Sequence, residues 1–225
     1  MTPCVAGQSV LNDPLVAAAI KVAPGGARLH HPFRGGMLEH VTSLCDLAEK
    51  VIEHYPRLNR DWLIAGAVLH DIGKVEELGT SRRLGYTTRG QLVGHVALGL
   101  EILDRHVARL DVFPVEIKSL LQHLIVSHHG EIDKGALRRP AWPEAILLHY
   151  QDEVDARLEQ AWRLIDRGPV GEEWTAYVPS LERQLYRWCP LADELDPCPP
   201  TNGARCIEAS TEAKLRASVE NNGHR

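Results

Sequence analysis

The sequence predicts an all-α domain, a bundle of about six helices. Three observations lead there. Apolar residues recur every three or four positions through the long segments. Alternating, strand-like runs are almost absent. The hydrophobic fraction of 44% and the charged fraction of 24% are those of a folded globular chain.

Residues 14–22 read as a short helix with Pro14 in its first turn. A loop follows, through Pro24, Gly25 and Gly26 and the run from His30 to Gly36. The segment at about 37–55 places Leu38, Val41, Leu44, Cys45, Ala48 and Val51/Ile52 on one face, and Pro56 ends it. Asp61 can cap a helix at about 62–72, built on Leu63, Ile64, Ala67, Val68 and Ile72. Gly79, Gly85 and Gly90, with Tyr86-Thr87-Thr88, mark 79–90 as a loop with room for a small hairpin. A helix at about 92–109 carries Leu92, Val96, Leu98 and Ile102/Leu103. Pro114 opens another at about 114–128, and Gly130 stops it as a left-handed cap residue would. Pro143 opens the longest, about 143–167, closed by Gly168-Pro169. Residues 170–190 can form one more helix with a Trp/Tyr-rich face. From Cys189 the composition shifts to prolines and then polar residues, so a disordered tail is expected, apart from a short helix around 208–219. The expected organisation is an N-terminal extension with a short helix (1–27), one domain (28–188) and a tail (189–225).

A chain of 225 residues has the size of one domain. Lys plus Arg is 25 and Asp plus Glu is 30, a net charge of −5. That excludes a basic nucleic-acid coat protein, and any nucleic-acid contact must be local. The N-terminus lacks a signal-like basic and apolar pair of regions, and no stretch reaches about 18 uninterrupted apolar residues, so no membrane partner is expected. The five cysteines (Cys4, Cys45, Cys189, Cys198 and Cys206) form no C-x-x-C. Their spacing suits neither a zinc site nor a disulfide scaffold, so reduced thiols in a cytoplasmic protein are expected. The oligomeric state is left open.

The 12 histidines carry the functional signal. His70-Asp71 closes the apolar run Ile64-Ala-Gly-Ala-Val-Leu69, where an unpaired carboxylate would be expensive. Taken alone, the pair could simply cap its helix. But His40 has an inward phase on the preceding helix, and His95 opens the next one. His128-His129 end the helix after that, and Asp152 points into the bundle from the last long helix. A helix bundle can build a metal site from facing helices in this way. Mixed imidazole and carboxylate ligands suit Mn, Fe, Co, Ni or Zn as divalent ions. Six or seven candidates exceed the four of a structural zinc site and point to two ions with open positions. Such a pair can activate water at neutral pH and clamp phosphate oxygens. His54, His106, His123 and His149 are read as structural.

The pattern H…HD…H…HH…D resembles the HD-domain metal-dependent phosphohydrolase superfamily. The segments His31-Pro-Phe-Arg-Gly-Gly-Met-Leu-Glu-His40, Ala65-Gly-Ala-Val-Leu-His-Asp-Ile-Gly-Lys-Val-Glu-Glu-Leu78 and Ile125-Val-Ser-His-His-Gly-Glu131 narrow the likeness. So do Pro143-Glu-Ala-Ile-Leu-Leu-His-Tyr-Gln-Asp-Glu-Val-Asp-Ala156 and Trp174-Thr-Ala-Tyr177. They resemble the HD domain of bacterial 3′–5′ exoribonucleases that carry an OB-fold ahead of it. The resemblance spans about 28–188 and implies an HD-domain helical bundle. About 28 residues precede the first motif, too few for an OB-fold, so a stand-alone catalytic domain is expected.

The resemblance implies that His40, His70, Asp71 and Asp152 hold one metal. Asp71 would bridge to a second, held by His95 and by His128 or His129. His128 is the favoured ligand, and His129 a ligand or a phosphate contact. Lys74, in an H-D-x-x-K arrangement, would offset charge at the scissile phosphate; a lysine favouring the helix C-terminus is the simpler reading. Catalytic roles are therefore expected for Lys74, Asp71 and His129. His31 and Gly35-Gly36 either bring backbone close to the site or merely shape a turn. Arg82, Arg83 and Arg89 in one loop, and Arg138 and Arg139 in another, could line a substrate groove with His31, or could be solvated surface.

The expected activity is hydrolysis of a phosphodiester, as a 3′–5′ exonuclease-like enzyme on short single-stranded RNA or DNA. A nucleotidase or nucleoside triphosphatase, or a non-catalytic nucleotide-sensing module, are the alternatives. Two small arginine clusters would hold about two to four phosphates, which favours distributive action.

Overall fold

The computed structural model describes residues 2–26, 31–79, 85–169 and 171–187. It divides into two compact units, Met1–Ala156 and Arg157–Arg225. The first unit is helical, as expected. Its elements are α1 (Pro3–Leu11), α2 (Pro14–Ile20), α3 (Gly36–His54), α4 (Arg60–Leu69), α5 (Lys74–Glu77), α6 (Thr88–Val93), α7 (His95–Val107) and α8 (Val115–Ser127), then the start of α9 (Pro143–Asp166). Two-residue strands β1 (Leu78–Gly79) and β2 (Gly85–Tyr86) form the small antiparallel hairpin between α5 and α6, with Leu78 opposite Tyr86.

α4 sits at the centre. Leu63, Ile64, Ala65, Ala67, Val68 and Leu69 are all buried, so it is apolar all round and packs against α1, α3 and α8. α7 packs on α1, α5 and α8, burying Leu98, Ile102 and Leu103. Gly66 allows close packing here: an added Cβ would lie 2.8 Å from the side chain of Leu148 on α9.

Several boundaries differ from the sequence expectation for identifiable reasons. α1 was not expected; Pro3 starts it, and it buries Cys4, Ala6 and Val10. α4 begins at Arg60, because Asn59 rather than Asp61 is the cap and accepts from the Asp61 amide. The helix expected at 62–72 stops at Leu69, then turns and restarts as α5. The helix expected at 92–109 is two helices. Thr87 caps α6 by accepting from the Gly90 amide, and Gly94 at φ +80° breaks the run before His95. Gly130 takes φ +77°, as expected for the end of α8.

In the second unit, the residues after α9 do not form the expected helix. Trp174 bridges to Tyr186 and Val178 to Arg183, both antiparallel, with the Trp174 and Tyr186 rings 5.1 Å apart. Pro179 withholds a backbone donor at the turn. The Arg187 guanidinium donates to the Ile165, Pro169 and Glu172 carbonyls, so it satisfies an acceptor of the last turn of α9. The tail read at 189–225 lies outside the described residues.

Candidate metal centre

Five segments of the first unit bring nitrogen and carboxylate atoms to one interior. His40 is fully buried on α3. His70 and Asp71 follow the last residue of α4, at 0% and 2% exposure. Gly73 lets the next turn press against α7: an added Cβ would lie 1.9 Å from the His95 carbonyl oxygen. His95 is the first residue of α7, directly after the Gly94 break. His128 caps the C-terminus of α8, with His129 beside it. There an added Cβ on Gly130 would meet the His149 ring at 2.3 Å. Asp152 projects from α9, its side chain 15% exposed.

These atoms form two groups joined by Asp71. In the first, His40 Nε2 lies 3.3 Å from His70 Nε2 and 3.2 Å from Asp152 Oδ1, and His70 Nε2 is 3.8 Å from Asp152 Oδ1. In the second, His95 Nε2 lies 3.1 Å from His129 Nε2, with His128 in the same group. Asp71 Oδ2 is 3.4 Å from His70 Nε2. Its other oxygen, Oδ1, is 3.4 Å from His95 Nε2 and 3.5 Å from His128 Nε2. The two oxygens of one carboxylate thus face different nitrogen groups.

The hydrogen bonds on the far side of the rings fix which nitrogens face inward. His70 Nδ1 donates to the Ala67 carbonyl at 3.0 Å, and His128 Nδ1 to the Ile125 carbonyl at 2.7 Å. A carbonyl can only accept, so in the neutral ring Nε2 carries the lone pair. His128 Nε2 and Asp71 Oδ1 are buried without a hydrogen-bond partner among the described residues. Unpartnered acceptors converging in a buried space call for a cation. A divalent transition metal about 2.1 Å from each donor sets neighbouring donors roughly 3.0–3.4 Å apart. The donor set fits: most of the spacings above fall in or close to that range, and two groups of three, His40/His70/Asp152 and His95/His128/His129, could each hold an ion.

The electrostatics reflect the crowding. Burial works to raise the Asp71 pKa, but Lys74, His70 and His95 override it and hold the carboxyl well below the usual carboxylate range. Burial likewise opposes ionisation of Asp152, and His40 and His70 prevail, keeping it ionised. His40 is pulled down by burial and lifted by Asp152 and Asp155, ending at about 9. Burial pushes His128 well below the ordinary histidine value and lowers His129.

Of the residues singled out in the sequence, His40, His70, Asp71, His95, His128, His129 and Asp152 come together. Both His128 and His129 reach the His95 group, so the pair need not be split. Lys74 is 7% exposed and donates to Asp71 Oδ2 and to the Gly25 carbonyl, both at 2.5 Å. His31 is buried behind His40, with Nε2 3.1 Å from Asp155 Oδ2. Gly36 serves that approach: an added Cβ would lie 2.2 Å from the His31 carbonyl oxygen. Arg89 lies in ion pairs with Glu76 and Glu101, and Arg139 pairs with Glu131 at 2.8 Å. Arg138 is exposed. Arg82 and Arg83 lie outside the described residues. Three of the four histidines read as structural have hydrogen-bond partners: His106 with the Ile102 carbonyl and Asp13, His149 with the His128 carbonyl, His123 with the Ala141 amide; His54 is exposed, its ring edge-on to that of Tyr55.

Three polar residues at the centre were not singled out. Asp155 Oδ2 accepts from His40 Nδ1 at 2.7 Å, and Ser43 donates to the other Asp155 oxygen. Glu77 Oε1 lies 3.0 Å from the His95 amide and 3.3 Å from His95 Nδ1. For Asp155 a signal existed: it lies three residues beyond Asp152, on the same helix face.

Comparison with known proteins agrees with this picture. The family model described as HD domain matches residues 37–157. The chain is 38% identical over 163 residues to 3′-5′ exoribonuclease YhaM of Bacillus subtilis (strain 168), covering 72% of this chain and 51% of that protein. It is 38% identical over 170 residues to the protein of the same name from Bacillus velezensis, covering 76% and 54%. For that from Geobacillus sp. (strain WCH70) the figures are 36% over 163 residues, 72% and 50%. The chain therefore spans about half the length of these relatives. No solved structure matches it significantly.

Proposed function

The chain belongs to the HD-domain family, and from that premise we propose that it is a metal-dependent phosphohydrolase. Its proposed activity is that of a phosphodiesterase of the 3′–5′ exonuclease type, acting on short single-stranded RNA or DNA. The observation that carries the reading is Asp71, whose two oxygens face separate groups of buried imidazole nitrogens. The printed name of the relatives, 3′-5′ exoribonuclease, supports nucleic acid as the substrate class.

His40, His70, Asp71 and Asp152 would hold one divalent ion, and Asp71, His95, His128 and His129 a second, drawn from Mn, Fe, Co, Ni and Zn. Such ions, when bound, polarise phosphoryl oxygens and lower the pKa of water. The protein's own groups do the rest. The side chains of Asp152 and His95 are 15% and 17% exposed, so each group has an edge open to water. Lys74 holds Asp71 Oδ2 and adds a fixed positive charge beside the reacting phosphate. His129, kept neutral near pH 7 by burial, presents Nε2 at the His95 edge.

Arg138 is the exposed cation we assign to a substrate phosphate. A contact at Arg89 or Arg139 would compete with the carboxylates already paired to them. That pairing, with a net charge of −5, favours short substrates and makes a free nucleotide the second reading. No described helix is long and apolar enough to cross a membrane. The free thiols of Cys4 and Cys45 support a cytoplasmic location as part of this proposal. The test is a panel of 5′-labelled RNA and single-stranded DNA oligonucleotides and free nucleotides, incubated with Mn²⁺. A ladder shortened from the 3′ end supports the reading. Release of phosphate from nucleotides with intact oligonucleotides supports the second, and turnover of neither overturns both.

A further inference from the structure

Each half of the centre has a carboxylate behind one of its histidines, on the Nδ1 side, away from the converging Nε2 atoms. Asp155 Oδ2 accepts from His40 Nδ1 at 2.7 Å, leaving His40 Nε2 directed at His70 and Asp152. Asp155 is itself held: Ser43 donates to Oδ1, and His31 Nε2 lies 3.1 Å from Oδ2. His31 in turn sits at φ +42°, a costly conformation for a residue with a side chain, against Gly25 and Gly36. On the other side, Glu77 Oε1 lies 3.3 Å from His95 Nδ1 and also accepts from the His95 amide, at 3.0 Å. Glu77 is fixed by its own carbonyl, which accepts from the Thr87 amide and lies 2.3 Å from where a Gly90 Cβ would stand.

His31, His40 and Asp155 also form a group that could be taken for a further metal site. The 2.7 Å between His40 Nδ1 and Asp155 Oδ2 argues against it, because two ligands of one transition metal stand roughly 3.0–3.4 Å apart. This contact is a hydrogen bond. A carboxylate that takes the outer N–H of a ligand histidine fixes its tautomer and ring orientation and raises its basicity, and its loss costs about 10–100-fold in metal affinity.

We propose that Asp155 and Glu77 are positioning residues, one for each half of the centre, that separately set how tightly His40 and His95 hold a divalent ion. The inference rests on the metal-centre reading above. Its consequence is that the halves can be loosened independently by changing residues that touch no ion.

Mn²⁺ titration of chelator-stripped full-length protein tests this, by calorimetry and by bound metal per chain, with thermal melts alongside. Asp155→Ala is expected to weaken one Mn²⁺ equivalent about 10–100-fold and spare the other, and Glu77→Ala to do the converse. Asp155→Asn keeps an acceptor for His40 and should recover the melting temperature while recovering affinity only in part. In a His40→Ala background, Asp155→Ala should change Mn²⁺ binding no further, because the ligand it positions is gone. Wild-type affinity in Asp155→Ala overturns the proposal while leaving the metal centre standing. So does an equal loss at both equivalents that Asn restores together with the melting temperature, since that marks a structural role. A wild-type protein that binds no Mn²⁺ overturns the metal-centre reading itself.

Discussion

Replacing Lys74 with methionine separates a structural cation from a helix-end ornament. The ammonium is buried and donates to Asp71 Oδ2 and the Gly25 carbonyl. Its removal leaves the Asp71 carboxylate, 2% exposed, without the ammonium that holds Oδ2. Breaking a buried pair from one side costs about 3–5 kcal/mol. At about 2–4 °C per kcal/mol for a chain of this size, the chelator-stripped variant should melt roughly 6–20 °C below wild type. Mn²⁺ restores positive charge beside Asp71, so in the loaded protein only the Gly25 carbonyl is stranded, at about 1–3 kcal/mol. The assay is scanning calorimetry of wild type and Lys74→Met, each stripped and Mn²⁺-loaded. The expected signature is a larger loss in the stripped state. A helix-end lysine would be worth only about 0.3–1 kcal/mol. A loss that small, or one equal in both states, would refute the reasoning. The loaded variant should keep its metal and lose on the order of 10²-fold in turnover.

Other outcomes follow from the same geometry. The His40 pKa, raised to about 9 from an unfolded value near 6.5, gives the stripped protein stability that is full below about pH 6.5 and lost as pH rises through about 9, on the order of 3 kcal/mol. Melts between pH 6 and 10 should show this decline in the stripped protein and not in the loaded one, and a flat profile when stripped would contradict it. Mn²⁺ binding near pH 7.5 should release about one proton per chain from His40, measured by calorimetry in buffers of different ionisation enthalpy; no release would be the adverse result. Gly73→Ala would drive a Cβ to 1.9 Å from the His95 carbonyl and 2.6 Å from the Gly99 amide. It should cost about 1–3 kcal/mol or more and strip metal from the His95 half first, so unchanged melts would count against the packing argument. Arg138→Ala should raise KM for a short oligonucleotide severalfold with kcat kept, and Arg89→Ala should raise it less, because Glu76 and Glu101 already hold that guanidinium; the reverse order would show that the arginines were misassigned.

The long helices were legible because burying one face imposes a period, and Leu38, Val41, Leu44, Cys45 and Ala48 all lie buried on α3 as that period requires. Breaks were harder. Gly94 reads as an ordinary interruption until its φ of +80° is seen, yet it sets where α7, and so His95, begins. Residues 170–190 misled because Trp174, Tyr177, Leu181 and Tyr186 can be placed on a helix as well as on a bridged turn, and the Arg187 contact to the end of α9 decides between them only in space. The inner histidines and aspartates were legible as ligand types at the ends and inner faces of helices. Asp155 offered one signal, its place three residues beyond Asp152, and Glu77 none, because a carboxylate on a helix otherwise looks like surface charge. Its histidine partner is 115 residues away in one case and 18 in the other. The pairing of Arg89 and Arg139 with glutamates was hidden for the same reason.

Hydrolysis of bis-p-nitrophenyl phosphate tests the central claim, that Asp71 joins two groups of histidines into a metal centre that cleaves phosphate esters. Wild type and Asp71→Ala are stripped with chelator, assayed, reloaded with Mn²⁺ and assayed again. Stripped wild type should be inactive, Mn²⁺ should restore its turnover, and Asp71→Ala should neither retain Mn²⁺ nor turn over. Turnover by stripped wild type or by Asp71→Ala, or none by Mn²⁺-loaded wild type, would contradict the account.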